Sequence, residues 1–103
     1  MDKYYIVATI YPKAGKEEEL QALIQANIPN VRGEKGCLRY DLHKNRKENT
    51  FMFYEIWADK EAFKAHASAP HMLTYRDASK DLLEKPTDVT IWSAVNVTEG
   101  NAD

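Results

Sequence analysis

Along this chain the spacing of apolar residues switches between the period of two expected of strands and the three-to-four spacing expected of helices. Residues 4–11 read YYIVATIY, a β-branched and aromatic run bounded by Pro12 and Gly15, which predicts a strand. Its alternation is incomplete, so both of its faces are expected to be covered. Over residues 16–31, Leu20, Leu23, Ile24, Ile28 and Val31 recur at helical spacing, and one stripe of a helix should face a core. Glu17, Glu18 and Glu19 fall in its first turn, where carboxylates complement the helix dipole. Pro29 is expected to kink or end this helix, with Gly33 and Gly36 marking its exit.

Residues 38–44 alternate Leu38, Tyr40 and Leu42 with Arg39, Asp41 and His43, the pattern of a half-buried strand. A polar turn, NRKEN, leads into residues 50–57, TFMFYEIW, and the two strands form a hairpin. Phe51, Phe53, Glu55 and Trp57 share one face of the second strand, Met52, Tyr54 and Ile56 the other. Asp59 suits the N-cap of a short helix through about Ser68, with Ala62, Phe63, His66 and Ala67 on its inward stripe. Pro70 fits the first turn of another helix, with Met72, Tyr75, Ser79 and Leu82 on one face, ending before Pro86. Residues 89–97, VTIWSAVNV, predict the last strand, and residues 98–103 a polar tail expected to fray.

The order is strand, helix, strand, strand, helix pair, strand, with no repeat or linker to divide residues 1–103 into more than one domain. A β-α-β-β-α-β order describes an α+β, ferredoxin-like sandwich: a four-stranded antiparallel sheet with helices on one face. Strands that are apolar on both faces then need a second cover. A homodimer packing sheet against sheet supplies it most simply.

Composition narrows the function classes. With 14 Lys+Arg against 16 Asp+Glu, the net charge of -2 gives no basic field for nucleic acid. Cys37 is the only cysteine, so no internal disulfide can form and a reducing, cytoplasmic setting is expected. The start MDKYYIVATIY does not read as a signal peptide. No apolar run approaches the roughly 20 residues that span a bilayer.

Strong catalytic motifs are missing from the sequence: there is no Gly-rich phosphate loop or Ser elbow. No Cys/His metal spacing occurs either, because Pro70 interrupts the helix between His66 and His71, and no metal is expected. Polar groups set into apolar elements remain. Glu55 lies in the middle of TFMFYEIW and, if buried, must be paired, hydrogen-bonded or protonated. It is either a pocket acid or a salt-bridge partner of Arg39 or Lys44. His66 sits on an inward stripe beside Phe63 and suits general base work, or is a core histidine bonded to a backbone carbonyl. His71 begins the next helix, where the dipole would lower its pKa. Tyr40, Tyr54, Trp57, Tyr75 and Trp92 either offer aromatic walls and phenolic donors for a small ligand or are plain core.

GCLRYDL (36–42), FYEIWADKEAFKAH (53–66) and PHML (70–73), with PKAGK (12–16) opening the first helix, resemble the antibiotic biosynthesis monooxygenase domain family. The match runs in order and spacing along nearly the whole chain. The resemblance implies a dimeric α+β barrel in which the sheets of two ferredoxin-like subunits pack together, each subunit holding a pocket between sheet and helices. It also implies a cofactor-independent monooxygenase acting on a small aromatic or quinol-type substrate with molecular oxygen. In such enzymes the substrate anion supplies the electrons, and no flavin, haem or metal is needed. Carried over by position, His66 is the base and Glu55 orients it or the substrate. Tyr40, Tyr54, Trp57, Phe63, His71 and Tyr75 line the pocket. A subfamily of isomerases of a small phosphorylated carbonyl signal shares the Y-E strand and the histidine–proline joint, and its chemistry would require cations such as Arg39, Lys44 or Arg76. Haem-degrading relatives use an asparagine where Ala8 or Thr9 stands here, so that activity is disfavoured. A non-catalytic dimer that binds a small molecule is the remaining expectation.

Overall fold

The computed structural model of the protein describes residues 2–98. The chain forms β1 (Tyr4–Pro12), α1 (Glu17–Arg32), β2 (Cys37–Lys44), β3 (Phe51–Trp57), α2 (Lys60–Ala67), α3 (Pro70–Ser79), a 3₁₀ turn (Lys80–Leu82) and β4 (Leu83–Trp92). The strands lie in the order β2-β3-β1-β4, and each neighbouring pair is antiparallel. This is the ferredoxin-like α+β sandwich. Among the described residues no helix is long and apolar enough to cross a membrane.

Residue parity decides which side chains meet the helices. Ile6, Ala8 and Ile10 of β1, with Phe51, Phe53 and Trp57 of β3, join Leu20, Ile24 and Val31 of α1 and Met72 of α3 in one core. Each buried Ile, Leu, Val, Phe or Met among them contributes about 1.5–3 kcal/mol when withdrawn from water. The alternate residues, Tyr5, Val7, Met52, Tyr54 and Ile56, point to the opposite face. Tyr5 and Ile56, cross-strand partners in the β1–β3 ladder, are buried there too.

The structure corrects several expected boundaries. Pro29 lies inside α1 and does not end it. It is exposed, one turn from the end, so the carbonyl it deprives of a bond faces solvent, while buried Val31 anchors the turn beyond it. Leu38 is 50% exposed because the β2–β3 register shifts between Cys37 and Arg39, which takes it out of the alternation. The last strand runs Leu83–Trp92, earlier than the expected 89–97, and passes through Pro86. Proline is tolerated on an edge strand or at an irregularity, and β4 offers both: it pairs only with β1, and its register shifts between Thr9 and Tyr11, opposite this stretch. Of the tail expected to fray, residues 99–103 lie outside the described residues.

Two local devices place α2. Asp59 caps it, its side chain accepting a hydrogen bond from the Ala62 amide at 2.8 Å. Gly36, at φ +84°, lets the α1–β2 turn approach so closely that a Cβ there would lie 2.5 Å from the Ala62 Cβ. Its carbonyl accepts the Ala58 amide at 2.8 Å.

Candidate functional site

A cavity of about 470 Å³ lies between the inner face of the sheet and helices α2 and α3. Ile6, Ala8 and Ile10 form its apolar floor, and Tyr40, Phe53 and Glu55 continue it across β2 and β3. Phe63 and His66 enter from α2; Met72, Tyr75 and Arg76 enter from α3. Thr87 and Val89 of the edge strand close one side.

Glu55 is 4% exposed. Its Oε1 accepts a hydrogen bond from the Trp57 indole Nε1 at 2.9 Å. Burial pushes its pKa up to about 7, against the indole bond, which lowers it, and with the Glu34 charge, which raises it further. The expected salt bridge to Arg39 or Lys44 does not form. Arg39 pairs with Asp41 at 2.8 Å, and the shifted register sets Arg39 opposite Ile56, on the other face. A carboxyl so poised can carry or release a proton near neutral pH.

His66, 5% exposed, packs against Trp57 in a tilted contact with ring centroids 4.5 Å apart and meets the edge of Tyr40 at 5.8 Å. Its Nδ1 lies 3.1 and 3.2 Å from the two Glu34 carboxylate oxygens. Burial holds the imidazole below its ordinary pKa despite the Glu34 carboxylate, which raises it; Arg76 and His71 lower it further. The ring is therefore neutral at pH 7 and able to accept a proton.

Tyr40, Phe63 and Tyr75 line the cavity with Glu55 and His66. Tyr40 stacks on Phe53 at 4.1 Å. Burial pushes the phenol pKa up in both Tyr40 and Tyr75, so both remain donors. Three expected pocket residues stand elsewhere. Tyr54 is corrected to the opposite face, since strand alternation cannot turn it inward beside Glu55; it pairs with Val7 and Asp41. Trp57 is fully buried and forms the shelf under His66 and Glu55 rather than a wall of the cavity. His71 does not line the cavity but reaches the carboxylate of Glu34 from behind, through Nε2.

Glu34 is absent from the sequence expectations. The only local signal is a carboxylate between Gly33 and Gly36, and its partners lie 32 and 37 residues away. Of the cations named from the sequence, Arg76 lines the cavity, joined by Lys80, whereas Arg39 and Lys44 do not. Burial raises the Cys37 thiol to about 11, which keeps it protonated and poorly nucleophilic.

Residues 3–78 match the family described as antibiotic biosynthesis monooxygenase. "Putative monooxygenase YcnE" of Bacillus subtilis is 37% identical over 80% of this chain and 87% of its own length. "Putative monooxygenase Rv0793" of Mycobacterium tuberculosis is 31% identical over 84% and 85%. The solved structure of the latter superposes with a TM-score of 0.86, covering 92% of this chain and 97% of that one. "Uncharacterized protein sll1783" of Synechocystis is 34% identical over 88% of this chain, which spans 63% of that protein's length.

Proposed function

The chain belongs to the antibiotic biosynthesis monooxygenase family, and from that premise we propose that it is a cofactor-independent monooxygenase of small aromatic, quinol-type substrates. The observation that carries the reading is the pairing, on one apolar cavity, of a neutral buried imidazole with a carboxyl that titrates near pH 7. His66 is the general base. It removes the proton of a ring hydroxyl, and the resulting phenolate is electron-rich enough to reduce molecular oxygen directly. Glu55 orients the second oxygen of the ring or returns a proton to the reduced oxygen. Tyr40, Phe53 and Phe63 hold the ring by stacking, and Tyr75 offers a phenolic donor. In this reading the substrate supplies the electrons, and no flavin, haem or metal is called for.

The working unit we propose is a homodimer. Val7, Met52 and Tyr54, half-buried beside the buried Tyr5 and Ile56, make the sheet face away from the helices apolar, and a second copy would complete its cover. A second reading, an isomerase of a small phosphorylated carbonyl compound, is favoured by Arg76 and Lys80 on the cavity wall. It would use the same acid and base without oxygen.

Oxygen uptake with a panel of hydroquinones tests the first reading. His66→Ala should lower kcat/KM by about 10²–10⁴-fold, the usual contribution of a positioned base. Equal rates in the two proteins would exclude His66 as the base. Turnover of a phosphorylated carbonyl without oxygen uptake would select the isomerase. Saturable quinol binding with no turnover would select a binding module.

A further inference from the structure

Glu34 and His71 lie behind the pocket and take no part in the reaction outlined above. The Glu34 side chain is only 13% exposed, yet it has two imidazole partners. His66 Nδ1 meets both carboxylate oxygens, at 3.1 and 3.2 Å, and His71 Nε2 bonds to Oε2. The turn that presents it is held by backbone bonds on both sides: the Glu34 amide donates to the Val31 carbonyl at 2.9 Å, and the Glu34 carbonyl accepts from the Cys37 amide at 3.2 Å.

An ionised carboxylate can only accept hydrogen bonds. A neutral His66 bonded to it must therefore carry its proton on Nδ1, which leaves the lone pair on Nε2. No hydrogen bond to Nε2 forms among the described residues, and the ring lines the cavity. The free lone pair is thus the one offered to a ligand. His71, with a side chain 27% exposed, shares the same carboxylate from the solvent side.

We propose that Glu34 is the positioning residue of the pocket base, and that His71 competes with His66 for its carboxylate, so that the working base is the unit His66–Glu34–His71. The proposal rests on the reading of His66 as a base. A proton accepted at Nε2 makes His66 an imidazolium, whose positive charge Glu34 then neutralises through Nδ1–H. His71 draws on the same carboxylate and so competes for it. Other titratable groups around His66 are Arg76 on α3, Tyr40 on β2 and Glu55 on β3.

Removing Glu34 and removing His71 should therefore shift His66 in opposite directions. Glu34→Gln removes the anion and, because an amide can also donate, no longer enforces the Nδ1–H tautomer. The proton affinity of His66 should fall by at least about threefold, half a pH unit, and the tautomers should mix. His71→Gln removes a competing imidazole, and the proton affinity should rise.

Long-range ¹⁵N–¹H NMR of histidine-labelled protein reads tautomer and titration directly, with only His43, His66 and His71 to assign. Repeating the titration in Glu55→Gln separates the carboxyl that titrates in the same range. An unchanged tautomer and titration in Glu34→Gln would overturn the proposal, as would shifts of the same sign in both variants. If Glu34→Gln does not fold, His71→Gln decides: a rise supports the proposal, and no change or a fall overturns it. With a turned-over quinol, Glu34→Gln should move the acid limb of the kcat/KM profile to lower pH with little change in KM, and Glu34→Asp should restore it in part. Shifts seen by NMR without oxidation of any quinol would leave the positioning intact and remove the reaction assignment. Loss of turnover in His66→Ala with no effect of Glu34→Gln would do the reverse.

Discussion

On the helix-covered face of the sheet, Glu55 and His66 are buried, and burial drives both toward their neutral forms. On the opposite face, the half-buried Asp41 carboxylate takes Arg39 at 2.8 Å and Arg32 at 3.2 Å. The two faces are built from alternate residues of the same strands. One drives titratable groups toward their neutral forms by withdrawing water; the other holds charged groups by ordinary pairing. The difference shows that chemistry in this fold follows residue parity along β3 more closely than distance along the chain, since Glu55 and Tyr54 are neighbours with different fates.

The largest test compares Trp57 with Tyr54. Trp57→Ala removes the shelf under both titratable groups and should cost about 3–5 kcal/mol in urea unfolding. Tyr54→Ala should lower stability in a way that depends on protein concentration, because its neighbours are expected across a dimer. Equal, concentration-independent losses would break the distinction between the faces.

Next in size is the pH dependence. In the folded protein Glu55 binds a proton more tightly than in the unfolded chain, with its value moved from 4.5 to about 7. Stability is therefore lost as pH rises across that interval, by up to about 3 kcal/mol. His66 is shifted the other way, so its contribution grows as pH rises through the imidazole range. Glu55→Gln should leave the rising His66 limb alone, and His66→Gln the falling Glu55 limb. Urea titrations between pH 4 and pH 8 would show them, and a flat profile in both variants would contradict the burial argument.

A smaller effect is expected from Tyr54→Arg. A charge set into the proposed apolar sheet-to-sheet interface should weaken the dimer by about tenfold or more. Sedimentation would show the 11.8 kDa species gaining population, with activity per folded subunit as the control. The smallest change belongs to Asp41→Asn. The Arg32 pair is exposed and worth about 0–1 kcal/mol, while the half-buried Arg39 pair adds to that, so no loss at all in chemical unfolding would show that neither pair contributes to stability.

These contrasts were partly legible in the sequence. The helical stripe of α1, the Asp59 cap and the alternation of β3 are local patterns, and each predicts its element. The inward direction of Glu55 and His66 follows from the same periodicity. What was not legible depends on partners brought together by folding. Pro86 reads as a barrier until β4 is known to be an edge strand with an irregular ladder. Tyr54 was set in the pocket by motif position, although its parity already opposed that. Glu34 could not be found by spacing, because its turn meets α2 and α3 only after both helices dock.

That docking has a narrow tolerance, set at Gly36. The turn bearing Glu34 and the helix bearing His66 touch where a single added methyl would overlap Ala62. A substitution at this residue, which does not line the cavity of His66 and Glu55, would move the carboxylate and the imidazole apart. The proposed reactivity of the pocket is thus tied to a close approach outside it. Variants selected for altered pH response should accumulate at Gly36 and Ala62 as well as among the residues that touch the ligand.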